Sequence, residues 1–510
     1  MHKTAQEIYS SLEGHRHQYL DRARTSASLT IPYIMPEAGF GPHSKILTPF
    51  QGVGAQGVNL LSSKLLLALL PPNSPFFRLN VDAYGLMEEG TSPEVISGIE
   101  QSLQQVEEAV MDEISRETYR TAIHSALKHL IITGNALLYL PDEGGIRVFH
   151  LDRYVIERDP MGNVIKIATK ENIAFEALDD DMRDSLIATG VKKGDDVHLF
   201  TSCCTMGDEV VIQQDVNGTP LVGRGGVYPK EKSPYIPLRF SRVDGESYGR
   251  GYVEEYLGDL QSLEGLTRAI VEGSAASAKL LFMVNPNGTT RARTLAESPN
   301  GAIVQGNAQD VSVVQTNKFA DFRVAQETIA AIRDRLGAAF LLTQAVVRNA
   351  ERVTAEEIRM LSQQLEAALG GLYSLLSTEL QMPLVTRLME VMNRKKKLPK
   401  LPKDVINPVI ITGVEALGRG NDLQKLDLFL AGASQVIGPQ AVAQYVNVGE
   451  YFKRRATSLG IKTIGLVKTP EELQAEMQQQ QQMELLRQAT PTGVKAIADQ
   501  IQSNQDQEVS

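Results

Sequence analysis

The sequence predicts an α+β protein, mainly helical, with long helices and the strands gathered into one stretch. Three observations carry that expectation. Apolar residues recur with a period near 3.6 through most of the first 135 residues, and again from residue 249 onward. Between these regions the period drops to two, in segments punctuated by Gly144-Gly145 and Gly162-Asn163. Finally, two long helical patterns, at 249–281 and 320–342, flank an insertion rich in glycine and proline.

In chain order, helices are expected at about 2–26, 53–70, 93–116 and 119–135. Strands then follow through "ALLYLPDEGGIRVFHLDRYVIERDPMGNVIKIATK", "DVHLFTSCC", "EVVIQQDV" and "YIPLRFSRV". The 249–281 helix is a rod of roughly 50 Å at 1.5 Å per residue. Val253, Tyr256, Leu257, Leu260, Leu263, Ile270 and Val271 make an apolar stripe on it. Gly251, Gly258 and Gly265, continued by Ala276, run nearly opposite that stripe. A glycine inside a helix costs about 1 kcal/mol relative to alanine. Three in register therefore predict a second face that another helix approaches closely, as lateral packing in an assembly requires.

The insertion carries expected short strands at 280–284, 302–305 and 311–315, and the 320–342 helix returns to complete an antiparallel hairpin. The link "TQAVVRNAERV" leads to a helix opened by Thr354-Ala355-Glu356-Glu357, a capping box. Its apolar line continues through Leu380, with Gly370-Gly371 and Pro383 as expected bends. Past the basic turn "NRKKKLPKLPKD", which reads as a solvated linker, helix resumes over about 415–460. A last helix opens at Thr469-Pro470-Glu471-Glu472 and carries the glutamines 478–482, and the composition from Pro491 onward predicts disorder.

Composition narrows the function. The chain has 510 residues, of which 42% are hydrophobic, enough for a substantial core. No apolar run reaches the roughly 18 to 20 residues that span a bilayer, so membrane insertion is not expected. The first twenty residues lack a signal peptide's apolar centre. The two cysteines, Cys203 and Cys204, are adjacent and cannot alone make a four-ligand zinc site. A net charge of −10 argues against gripping DNA through a broad basic face, and leaves open a protein that lets DNA slide past without gripping it.

Several catalytic signals fail on inspection. Gly245-Glu246-Ser247-Tyr248-Gly249 matches G-x-S-x-G between a strand-like and a helix-like run, the setting of a serine hydrolase nucleophile. That fold needs a histidine downstream of the serine, and all eight histidines lie upstream. The alternative is that Ser247 caps a helix by accepting a backbone N–H, with Gly245 and Gly249 easing the turn. Gly52, Gly54 and Gly57 match G-x-G-x-x-G, but no buried strand precedes them, so close backbone packing at the start of a helix is expected instead. There is no P-loop and no H-E-x-x-H, and His124 and His129 are spaced too far for one helix face. The acidic run at Asp179–Asp181 and Asp184 reads as a solvated helix start. No enzyme and no cofactor is expected.

Taken together, "TPFQGVGAQGVNLLSSKLLLALLPP", "ALKHLIITGNALLYLP", "YIPLRFSRVDGESYGRGYVEEYLGDLQSLE" and "ERVTAEEIRMLSQQLEAALGGLYSLLSTELQMPLV" resemble the portal, or head-to-tail connector, proteins of short-tailed double-stranded DNA bacteriophages of the autographivirus type. The similarity extends to about residue 465. It implies the portal fold: a wing at 1–248, stem helices at 249–281 and 320–342, and a clip at 282–319. A tunnel loop would lie at 343–353, a long helix and wing return at 354–414, a crown at 415–468, and a C-terminal helix and flexible tail at 469–510. It also implies a homo-oligomeric ring, usually of twelve, at one capsid vertex of the virion, assembled in the host cytoplasm. Genomic double-stranded DNA would pass through it during packaging and ejection. The implied partners are the terminase, which supplies the force, the tail adaptor, the capsid and scaffolding proteins and the internal core proteins. Under this resemblance Thr343, Gln344, Arg348, Asn349 and Arg352 face the DNA. Gly251, Gly258, Gly265 and Ala276 pack the stem, and Asn287, Arg291, Arg293 and Asn300 dock partners at the clip.

Overall fold

A computed structural model describes residues 3–455 apart from breaks, the longer of which are 81–92, 178–182, 188–195, 343–354, 399–408 and 413–418. The described chain divides into two compact units, Met1–Ala416 and Leu417–Ser510.

The first unit opens with α1 (Ala5–Ser28). Thr4 starts it through a capping box: its hydroxyl oxygen accepts the Glu7 N–H at 3.2 Å, and the Glu7 carboxylate accepts the Thr4 N–H at 3.0 Å. Next come α2 (Val53–Leu69), α3 (Pro93–Arg116) and α4 (Tyr119–Thr133), close to the bounds expected from periodicity. Two glycines of the G-x-G-x-x-G admit neighbours, as expected. A Cβ on Gly54 would lie 2.5 Å from the Leu29 carbonyl oxygen, and one on Gly57 would lie 2.5 Å from the Phe340 ring. Gly52 differs: it is the N-cap of α2 and faces open space.

All strand pairings among the described residues are antiparallel. β1 (Phe77–Asn80) stands apart from the run β2 (Asn135–Tyr139), β3 (Arg147–Phe149), β4 (Tyr154–Arg158) and β5 (Val164–Ala174). Then follow β6 (Asp196–Met206), β7 (Glu209–Val216), β8 (Thr219–Pro220), β9 (Gly226–Pro229) and β10 (Tyr235–Arg239). They form a three-stranded sheet ordered β10-β2-β3 and a six-stranded sheet ordered β4-β5-β6-β7-β8, with β9 also on β7. The N-terminal half of α1 covers the larger sheet, burying Ala5, Ile8, Tyr9 and Leu12 against Val155, Ala168 and Phe200. Buried Arg16 fixes the helix there by donating to the carbonyls of Leu151 at 3.0 Å and Tyr154 at 2.7 Å.

The 249–281 helix departs from expectation. Gly251 is the N-cap of a short α5 (Tyr252–Glu255), the helix breaks at Tyr256, and α6 (Leu257–Ser277) carries the rest. In the insertion β11 (Leu281–Val284) and α7 (Ala292–Glu297) precede β12 (Val311–Val314), which pairs with β11. Residues 302–305 form no strand, and α7 was not foreseen. The return helix α8 (Phe319–Ala339) lies where periodicity placed it.

Beyond the break, α9 (Ala355–Leu369) meets α10 (Leu372–Leu376) at Gly371, whose φ of +89° makes the expected bend. At Pro383, the other expected bend, the helical backbone continues through a local irregularity. A π-helical turn, Ser377–Gln381, runs directly into α11 (Met382–Arg394), where the proline occupies the first turn. The wider turn removes the demand for the N–H that proline lacks. β13 (Val409–Thr412) then pairs with β1, setting Thr412 opposite Phe77. In the basic turn, Arg394 pairs with Asp142 and Glu390, and Lys397 reaches Glu113 at 2.6 Å. Those cations are held by the chain's own acids.

The second unit contains α12 (Arg419–Ile437). The helix expected over 415–460 is interrupted at Gly438, which takes φ +81°. Short helical turns follow, and the Tyr451 hydroxyl donates to Asp427 at 2.6 Å.

Candidate functional site

The candidate site is the α6/α8 hairpin with its tip. At its base Leu260 and Leu263 of α6 pack with Ile332, Leu336 and Phe340 in the main core. Tyr252 donates to the Ala339 carbonyl at 2.9 Å and meets the Phe340 ring edge-on at 5.6 Å. In the same basal region, Arg335 of α8 pairs with Asp259 in the first turn of α6 at 2.7 Å. Burial then fades: Val271 is 49% exposed and Val324 on the return helix 61%. The outer parts of both rods are thus solvated within one chain.

The glycine line splits. Gly258 and Gly265 have no atom within 4 Å of a would-be Cβ, and Ala276 is exposed. Gly251 belongs elsewhere: it precedes the helix and packs on its own chain, where an added Cβ would lie 2.5 Å from the Ile132 carbonyl oxygen. Among the described residues, the α6 glycine that the return rod approaches is Gly273, where an added Cβ would lie 2.9 Å from the Phe322 ring. It stands eight residues beyond Gly265, out of the seven-residue register.

At the tip, Asp310 organises the loop. Its carboxylate accepts the Thr290 N–H at 3.1 Å and the Thr290 hydroxyl at 3.2 Å, with the Thr289 hydroxyl at 3.3 Å. These bonds hold its pKa below the ordinary value of 3.8. Asn287, Arg291, Arg293 and Asn300 are exposed around it, and Arg293 pairs only with Glu297 of its own helix, at 2.9 Å. Sequence reading singled out these four and missed Asp310, because an aspartate closing a three-residue helical turn carries no periodic signal.

The exit from α8 holds another missed residue. Lys64, the charge that interrupts the apolar run of α2, is buried, and its ammonium donates to the Leu341 carbonyl at 2.9 Å. Burial lowers its pKa. Leu341 has φ +57°, unusual for a residue with a side chain. Thr343, Gln344, Arg348, Asn349 and Arg352 lie outside the described residues, as do the acidic run at 179–181 and 184 and everything after 455.

Ser247 is accounted for without chemistry. Its hydroxyl oxygen accepts the Arg158 N–H at 3.2 Å, and the Tyr248 hydroxyl oxygen accepts the Ile156 N–H at 3.1 Å. The G-x-S-x-G segment therefore covers the free edge of β4, satisfying alternate amides of an edge strand. Ser247 does not cap a helix, since α5 starts five residues later. Gly245 makes the turn with φ +75°, and a Cβ on Gly249 would press 2.7 Å from the Gly134 carbonyl oxygen. Buried His129 sits against His150, ring centroids 4.6 Å apart, and desolvation drives its pKa down to about 3. Burial pushes the Cys203 thiol up to about 12. Among the described residues no cluster of His, Cys, Asp and Glu is arranged to hold a metal, and no helix is long and apolar enough to cross a membrane.

Known proteins match this sequence along nearly its whole length. The family described as bacteriophage head to tail connecting protein matches residues 2–466. The portal protein of Escherichia phage T7 is 41% identical over 485 residues, covering 93% of this chain and 90% of that one. The portal protein of Enterobacteria phage T3 is 40% identical over 502 residues, covering 97% and 92%. That of Enterobacteria phage SP6 is 31% identical over 507 residues, covering 97% and 96%. By this family match and these identities the chain belongs to the bacteriophage head to tail connecting proteins.

Proposed function

We infer that the chain acts as a portal, the connector between phage head and tail, and that it does so as a ring around double-stranded DNA. The observation that carries this is the family match over residues 2–466. The hairpin supports the ring: two long rods leave Gly258, Gly265, Val271 and Val324 open to solvent in the single chain. Such a surface suits lateral packing against a second copy, and the family resemblance gives twelve copies as the expected number.

In this reading the stem lines a channel and the tip docks first the terminase and later the tail adaptor. The crown faces the capsid interior, with the scaffolding and core proteins, at the head–tail junction of the virion. Duplex DNA carries about one negative charge per 1.7 Å of axis. A ring of chains each with a net charge of −10 has no broad basic excess to hold it, while a few basic side chains at one level guide it. Force comes from a separate ATPase. Negative-stain images and native mass of the purified chain test the proposal. Rings with a central hole are expected, and a protein that stays monomeric at all concentrations and with DNA would overturn it.

A further inference from the structure

Between the start of α2 and the α6/α8 hairpin lies an open groove of about 480 Å³. Phe50, Ile270, Val271 and Ile329 give it apolar walls, and Phe50 and Val271 remain 46% and 49% exposed. Exposed Arg333 of α8 is the one charged residue lining it among the described residues. Apolar surface with a charged group beside it is the make-up of an interface core and its rim.

The opposite side of the hairpin has the complementary form. At about 100° per residue, Val324, Thr328 and Ala331 of α8 are turned roughly 180° from the groove residues Gln326, Ile329, Ala330 and Arg333. All three are exposed and form a small apolar ridge. On α6, Gly258 and Gly265 are likewise turned roughly 150° from Thr267 and Val271, which line the groove. Exposed Glu327 and Asp334 flank the ridge. Arg335, which lies along it, is neutralised by Asp259, and Glu327 meets Arg323 only at 3.9 Å. Arg333 and Asp334 have no ion pair among the described residues. The groove thus carries an unpaired cation and the ridge an unpaired anion.

We propose that the groove of one copy receives the Val324–Ala331 ridge of the next, with Arg333 opposite Asp334 of that next copy. The inference rests on the ring proposed above and names its contact faces. Helices pack by setting ridges into grooves. In a closed ring every copy sits at one height. Where the rods run along the ring axis, the groove level of one α8 therefore meets the same level of the next, which brings positions 333 and 334 across from each other. Charge opposes a two-fold pair: groove on groove sets Arg333 against Arg333, and ridge on ridge sets Asp334 and Glu327 against their own copies. Groove on ridge is head-to-tail, the arrangement that closes into rings.

Charge reversal read by native mass at low salt tests the contact. Arg333→Glu and Asp334→Lys alter exposed side chains, so free subunits of each should melt as wild type does. Each alone sets like charges across the contact and should lower ring yield about tenfold or more. An equimolar mixture of the two variants should restore rings. There the reversed groove of the first meets the reversed ridge of the second, and the native groove of the second meets the native ridge of the first. Ala330→Trp fills the groove from an exposed position and should block rings without lowering the melting temperature. Wild-type ring yield from either reversal alone or from Ala330→Trp, or no recovery in the mixture, would overturn the contact and leave the ring standing. A wild-type chain that never forms rings would overturn the ring itself, and this contact with it.

Discussion

The side-chain amide of Asn135 and the backbone amide of Gly249 pair face to face: Asn135 Nδ2 donates to the Gly249 carbonyl, and the Gly249 N–H donates to Asn135 Oδ1, both at 2.8 Å. The pair joins the end of α4 to the segment entering the hairpin, and the Phe240 N–H on the Gly134 carbonyl at 2.9 Å closes the same node. Gly134, with φ +76°, lets the backbones meet, since a Cβ there would strike the Arg250 carbonyl carbon at 2.4 Å.

Breaking the node should loosen the hairpin's root. Asn135→Leu leaves the buried Gly249 amide without its partners, at about 1–3 kcal/mol. Gly249→Ala adds overpacking of about 1–3 kcal/mol. Thermal unfolding should fall in both, and limited proteolysis should cut near residue 250 sooner.

Gly258→Leu with Gly265→Leu separates fold from assembly. Nothing lies within 4 Å of either position in the single chain, and each change removes roughly 1 kcal/mol of helix-propensity penalty. The melting temperature of free subunits should hold or rise, while ring formation, read by native mass, should fail. Normal rings would refute stem packing through this line.

At the tip, charge reversal is the cleaner test of docking. Arg291→Glu with Arg293→Glu and Asn300→Asp alters exposed side chains and leaves Thr290 and Asp310 in place. Rings should persist and tail-adaptor binding should drop in a pull-down. Unchanged binding would remove the tip from the docking surface.

Asp310 predicts an acid sensitivity of the same tip. Its folded pKa lies below the ordinary 3.8, held down by the Thr290 and Thr289 hydrogen bonds. A depressed carboxyl contributes order that is fully present above its unfolded pKa and is lost as pH falls through the folded one. Hydrogen exchange of the 285–310 segment should therefore rise only below about pH 4, and Asp310→Asn should show that mobility at neutral pH.

The fifth prediction rests on sequence alone. Arg348 and Arg352 are the basic residues between the hairpin and α9, with Glu351 the acidic one. Repeated around a ring they would form collars that touch phosphates without reading bases. Arg348→Ala with Arg352→Ala should leave rings intact and reduce DNA filling or retention in the head. Wild-type filling would sink the tunnel-loop role.

The sequence by itself determined the element order wherever periodicity was long. The helices at 53–69 and 93–116 and the return rod at 319–339 follow from a repeat sustained over many turns, and the hairpins at Gly144 and Gly162 follow from their turn residues. It also carried the family, because blocks of specific residues in one order persist where no single motif is informative. Tertiary structure decided the rest. The G-x-S-x-G looks alike as a nucleophile turn or as an edge cover, and only the Arg158 and Ile156 amides across from it settle which. Gly251, Gly258 and Gly265 are equally spaced along the chain. Yet one meets the Ile132 carbonyl and two meet open space, because the helix breaks at Tyr256 and the register does not carry through. Lys64 and Asp310 take their roles from a carbonyl and a hydroxyl 277 and 20 residues away. Local pattern records what a residue's neighbours in the chain favour; the partners that satisfy a buried charge are chosen only when distant segments meet.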